Sequence, residues 1–197
     1  MFIEDGKGGG FQAHVDGENR LSTLAQTLPS RAVASIQGDS GYFFTTSVIT
    51  LTSANESGLL YIKNLSQNRV FVIETVQVSL GLSTGGTAKD VILKVYPNPT
   101  AGTLLTAGTS VAAVNSNFGS TVPAQAQVLV GTEGSTIVPT ATNIQFILRD
   151  QLYTNLNVVA CLPIGTASAL SITPGTANTS MKVVLAVAGF YIPDDFS

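Results

Sequence analysis

The chain contains no tryptophan, one cysteine (Cys161), one histidine (His14) and few charges. A single cysteine excludes an intramolecular disulfide framework and a cysteine-rich zinc site. One histidine with one cysteine falls short of the several nitrogen and sulfur ligands that a transition metal normally takes. Missing tryptophan weakens a sugar-binding reading, because sugars often stack on large aromatic rings. Charged residues make up 11 % of the chain, where about 25 % is usual for a soluble domain. Nine bases against twelve acids leave a net charge of −3. Binding to nucleic acid by counterion release is therefore not expected. No apolar run approaches the ~20 residues of a membrane helix, and no membrane partner is expected. Glu, Lys and Arg are scarce beside Thr and Val, which argues against a helical bundle.

What is abundant is uncharged polarity: 23 Thr, 18 Ser, 11 Asn and 9 Gln. A folded chain of this mass exposes roughly 9,000 Å², so its charges stand roughly one per 400 Å², about half the usual density. Water is faced mainly by hydroxyls and amides. The stretch from Val95 to Leu148 carries a single charge, Glu133. Such a surface hydrates well, yet costs less to bury than one rich in Lys or Glu.

The first ~37 residues differ from the rest. Gly6, Gly8, Gly9 and Gly10 cluster there, with four acids against three bases. Their apolar residues are scattered: Phe2, Ile3, Phe11, Val15, Leu21, Leu24 and Leu28. This reads as an extended N-terminal arm over 1–37, with room for a helical turn or two over 21–28 before Pro29. The start MFIEDGK is acidic and lacks the apolar core of a signal peptide.

Residues 38–197 read as one β domain. Period-2 apolar alternation marks Ser47–Ser53, Gly58–Asn64, Arg69–Leu80, Asp90–Tyr96 and Asn143–Arg149. Weaker strands are expected at Gly102–Thr106, Gln125–Val130, Ser135–Val138, Asn157–Leu162 and Leu170–Thr173. Met181–Ile192 is apolar on both faces, as for a strand inside a sheet or beneath a subunit contact. This pattern specifies an all-β antiparallel sandwich or barrel.

Catalytic chemistry finds little support. His14 lies in the arm, far from the rigid setting a Ser-His-Asp triad needs. Asp16 and Glu18 would share a face if extended, but DGEN lacks the spacing of a calcium loop. Asp194 and Asp195 are adjacent and would point to opposite faces of a strand. GKGGG lacks the Lys-Ser/Thr ending of a phosphate loop. Cys161, in an apolar run, reads as a buried packing residue. No enzyme activity and no cofactor or metal is expected. Glu74 falls on the apolar face of its strand, and a β-bulge turning it outward is the favoured reading. Pairing with Lys63, Arg69 or Lys94, or facing a neighbouring subunit, are the alternatives. Tyr42, Phe43 and Phe44 read as core, or as an anchor for the arm. The sequons at Asn55, Asn64 and Asn178 read as chance in a chain rich in Ser and Asn.

GFQAHVDGENRL, ITLTSANESGLLYIKN, YPNPTAGTLL and VNSNFGS resemble segments of virion structural proteins of tailed bacteriophages. The likeness spans the first two-thirds of the chain and rests on turn chemistry. It implies a jelly-roll-like β-sandwich that decorates and cements the capsid, bound to the major capsid protein on the virion surface. It also implies a homo-oligomer, a trimer, whose symmetry would cover sheet edges. The apolar arm residues named above, Phe2 to Leu28, are then the candidate capsid or subunit contacts. A second reading is a tail, fibre or receptor-binding module that recognises host glycan through Thr100–Ser120 and Gly131–Asn143. A β-rich hydrolase and a small-virus coat protein rank lower, the latter because the arm is not basic.

Overall fold

The computed structural model describes residues 40–81, 90–148, 153–157, 160–175 and 181–193, together with three short N-terminal strands. Those are β1 (Phe2–Glu4), β2 (Gln12–Val15) and β3 (Leu21–Ser22). They pair antiparallel in a sheet of their own, Phe2 opposite His14 and Val15 opposite Leu21. The described pieces of this N-terminal stretch are strands paired with one another. Leu21 begins a strand, so no helical turn starts there. Phe11, Leu24 and Leu28 lie outside the described residues.

The β domain is two antiparallel sheets. The first holds β4 (Gly41–Thr45), β5 (Ile49–Leu51), β7 (Arg69–Gly81), β10 (Val114–Asn115), β13 (Tyr153–Leu156), β14 (Ala160–Leu162) and β16 (Met181–Pro193). The second holds β6 (Ser57–Asn64), β8 (Val91–Pro97), β9 (Thr109–Ser110), β11 (Ala126–Val130), β12 (Ile144–Leu148) and β15 (Ala167–Thr173). β4 and β5 pair successive stretches of β16, and β13 and β14 do so on β7. Each pair therefore acts as one interrupted strand. The order is then β4/β5–β16–β7–β13/β14 facing β6–β15–β8–β12. Two four-stranded sheets linked in this order are the jelly roll.

Thr46 shows how one interruption is bridged. Its N–H donates to Leu185 O, and its Oγ1 accepts the Leu185 N–H at 3.0 Å. The side chain stands in for a ladder bond while the neighbouring Val48 is turned out to solvent.

β7 carries the expected bulge. β16 pairs Ala188 with Thr75 and Gly189 with Ile73, so Glu74 is the extra residue. The bulge also reverses the faces. Phe71 and Ile73 point into the core before it, and Val76, Val78 and Leu80 after it. Strict alternation would have put Val70 and Val72 inside. Lys94 pairs elsewhere, with Glu56. Tyr42 and Phe44 are buried in the core. Phe44 meets Phe71, and Phe71 meets Tyr191, edge to face at 5.2 and 4.9 Å. β16 lies between β4/β5 and β7, as its two apolar faces require.

The connection from β8 to β12, residues 98–143, is the elaborated part. It carries the short helix α1 (Thr103–Ala107), where a strand was expected, and then β9, β10 and β11. β9 and β11 extend the second sheet beyond β6, and β10 extends the first beyond β4. The segment therefore covers one edge of each sheet. Leu104 of α1 and Ile137 cover the outer face of the second sheet, packing on Tyr61, Tyr96 and Ala169 as a second small core. Ser135–Val138 forms no strand, only a bridge from Val138 to Ala101.

Candidate docking surface

Three exposed features stand out, and each is built by local chemistry. The first is the loop after β10. Asn115 Oδ1 accepts the N–H of Asn117 at 2.8 Å, and the Ser120 N–H donates to Asn117 O at 2.9 Å. One side-chain turn and one backbone turn thus fix a loop without secondary structure. The Ser116 N–H donates to Gly41 O, and the Tyr42 hydroxyl donates to Pro123 O, so the loop is tied to β4 at both ends. At its tip Phe118 is 84 % exposed. Val114 and Val122 flank it, also exposed.

The second feature is the edge opposite the β9–β11 insertion. Among the described residues β12 pairs only with β8, and β13 only with β7. Ile144 and Ile147 on β12 are 53 % and 59 % exposed, and Tyr153 on β13 is exposed too. An apolar strand at the edge of a sheet is a template for association.

The third is the scarcity of charge in the stretch 95–148, which carries the Phe118 loop and β12. Glu133 supplies the lone charge between Val95 and Leu148, and it is already committed. Its carboxylate accepts N–H bonds from Thr52 and Ser53, each 2.6 Å, and the Thr52 hydroxyl at 3.0 Å. Those amides, Ser53 foremost, hold the carboxyl below its usual range.

Elsewhere the second sheet carries one closed polar knot. Glu56, just before β6, accepts from Lys94 Nζ at 2.5 Å, Tyr96 Oη at 2.5 Å and Ser171 Oγ at 2.6 Å. Burial pushes the Glu56 carboxyl up, but the bonds from Lys94, Ser171 and Tyr96 together outweigh it and hold the carboxyl low. Tyr96 is pushed up to about 12, by burial first and then by its bond to Glu56. All the partners satisfy one another, so the knot is a clamp between β6, β8 and β15.

One sequence expectation lands differently. Cys161 is exposed on β14, not packed inside, because the inward positions there fall to Leu162 on one side and Ala160 on the other. Asn64 is fully buried, donating to Arg69 O and Leu162 O and accepting from Ser66 N–H, so its sequon is unreachable. Phe2, Ile3, Val15 and Leu21 lie on β1 to β3, whose side chains are outside the described residues. The same holds for His14 on β2, while Asp16, Glu18, Asp194 and Asp195 lie wholly outside them. Among the described residues no three His, Cys, Asp or Glu gather as metal ligands. No helix there is long and apolar enough to cross a membrane.

Phe118 and Ile147 were not singled out from sequence, though a signal existed. An aromatic between Asn117 and Gly119 sits in turn chemistry and has no core to enter. In the NIQFIL run Ile144, Phe146 and Leu148 share one face of the strand, so Ile147 falls on the other with Asn143 and Gln145. No protein-family model matches the chain, and no curated protein matches it.

Proposed function

We propose that the chain is a structural protein of a tailed-phage virion that decorates the capsid and cements neighbouring capsomers. One observation carries the reading. Six of the ten large exposed apolar side chains among the described residues, Val114, Phe118, Val122, Val138, Ile144 and Ile147, fall in the charge-poor stretch 95–148. Isolated exposed apolar residues are ordinary, but their concentration in a charge-poor segment suits a surface that is buried on assembly. The jelly roll supplies a stiff platform, and the sequence likeness to phage virion proteins supplies the setting. In this reading the Phe118 loop docks on the major capsid protein. The β12–β13 edge meets a second copy, within a trimer.

The test is to add purified protein to undecorated capsids and follow their resistance to heat or internal pressure. Saturable binding with a raised release temperature supports the proposal; no binding and no stabilisation defeat it. Immunogold labelling separates it from the tail or receptor-binding reading, which would place the chain off the head.

A further inference from the structure

The outer face of the second sheet holds a cleft of about 480 Å³. Its origin is in the strand register. Tyr61 and Lys63 project from β6 on that face, and their cross-strand partners on β15 are Ala169 and Ala167. Two long side chains beside two methyl groups leave a hollow. Pro99, Thr100 and Leu105 form one wall, and Gly165 and Thr166 the other.

The walls are held firmly. Asn98 adopts a left-handed backbone, φ 44°, which Asn tolerates better than most residues. Its Oδ1 accepts the Ala167 N–H at 2.7 Å, and its own N–H donates to Ala167 O at 2.9 Å. On the other side Gly165, at φ 77°, donates its N–H to Asn64 O.

The lining donors are uncommitted. Among the described residues the Lys63 ammonium, the Tyr61 hydroxyl and the Thr100 hydroxyl have no hydrogen-bond or ion-pair partner. Among the described residues no carboxylate lines the cleft. The groove on the other side of the insertion differs: its one charge, Glu133, is already held by backbone amides.

We infer that this cleft binds a carboxylate-bearing saccharide, with Lys63 pairing the carboxylate and the Tyr61 and Thr100 hydroxyls meeting sugar hydroxyls. The volume lies within the roughly 300–1,000 Å³ of small-molecule sites. One cation among neutral hydroxyls matches a single negative charge on a polyhydroxylated ring. A phosphate or sulfate is better served by several cations or a forked guanidinium. Pro99 and Leu105 offer apolar surface to the C–H face of a sugar. The inference rests on the sheet register and stands apart from the capsid reading.

The test is an NMR titration of the full-length ¹⁵N-labelled protein at constant ionic strength. The probes are 3′-sialyllactose, lactose and sodium sulfate. The expected result is saturable shifts at Lys63, Gly165 and Thr166 with sialyllactose, and binding of lactose or sulfate weaker by about tenfold or more. Lys63→Met should weaken sialyllactose by about tenfold with its melting temperature unchanged, and Lys63→Arg should retain binding. Absence of saturable shifts overturns the inference, as does equal binding of lactose or sulfate, or Lys63→Met binding as the parent does.

Discussion

A Cβ placed on Gly189 would sit 2.3 Å from the carbonyl oxygen of Val72 and 2.5 Å from the Phe71 ring. Gly189 sits where the register of β16 on β7 shifts at the Glu74 bulge, opposite Ile73. Neither neighbour can retreat: one is backbone, the other a core aromatic ring. Gly189→Ala should therefore destabilise the domain by about 1–3 kcal/mol, in the range of core overpacking. Gly119→Ala is the control, since its Cβ would meet only Asn117 Oδ1 at 3.6 Å. Chemical denaturation of both variants checks the contrast; equal stabilities would contradict it.

Glu56 sets a pH dependence whose sign is fixed. Its folded-state pKa lies below the usual 4.5, so folding favours the ionised form. The resulting stabilisation is complete above about pH 4.5 and is lost as pH falls through the lowered value. Glu56→Gln removes the charge that Lys94, Tyr96 and Ser171 share. Because Glu56 and Lys94 are partly exposed, the loss at neutral pH should be modest, about 1–2 kcal/mol. The gap between parent and variant should close as the solution is acidified. Urea melts at several pH values measure this, and a gap that widens in acid would refute the assignment.

The sheets were legible because period-2 alternation survives wherever one face is buried. Arg69–Leu80, Asp90–Tyr96 and Met181–Ile192 each match an observed strand to within a residue or so. The Glu74 bulge was legible too, since an unpaired carboxylate on an apolar face is costly enough to demand a local irregularity. Its effect on the faces was not, because a one-residue insertion reverses every side chain beyond it. α1 was missed because Thr103–Ala107 is too short for a 3.6-residue period to show; its place is set by Leu104 packing on the second sheet. The Glu56 knot depends on Lys94, Tyr96 and Ser171, all remote in sequence, and only pairing of β6, β8 and β15 brings them together.

Phe118 offers the sharpest test of the docking surface. It is nearly free of its own fold, so Phe118→Ser should change stability by no more than about 0.5 kcal/mol. In the capsid reading the same change removes an aromatic anchor and weakens binding by about 2 kcal/mol or more, some thirtyfold. Sedimentation of the variant with undecorated capsids measures it. Full binding by Phe118→Ser would remove this loop from the interface.

Salt dependence separates an apolar interface from an electrostatic one. The only charge between Val95 and Leu148 is Glu133, engaged by Thr52 and Ser53. Docking through this region should change little between low and moderate ionic strength, since there is little charge to screen. Binding isotherms at several salt concentrations test this, and a steep loss of affinity would place the contact on a charged surface instead.

Ile147 bears on self-association. It faces outward on β12 opposite Ile92, on an edge that no described strand covers. If a second copy completes that edge, the contact buries Ile147 and satisfies the open ladder. A lysine there would leave the isolated chain nearly as stable, because the site is exposed, but would force an ammonium into the subunit contact. Ile147→Lys should therefore shift the light-scattering mass from oligomer to monomer. Its far-ultraviolet circular dichroism should match that of the parent. An oligomer that survives the substitution would move the subunit contact away from β12, and a parent protein that is monomeric would exclude the trimer.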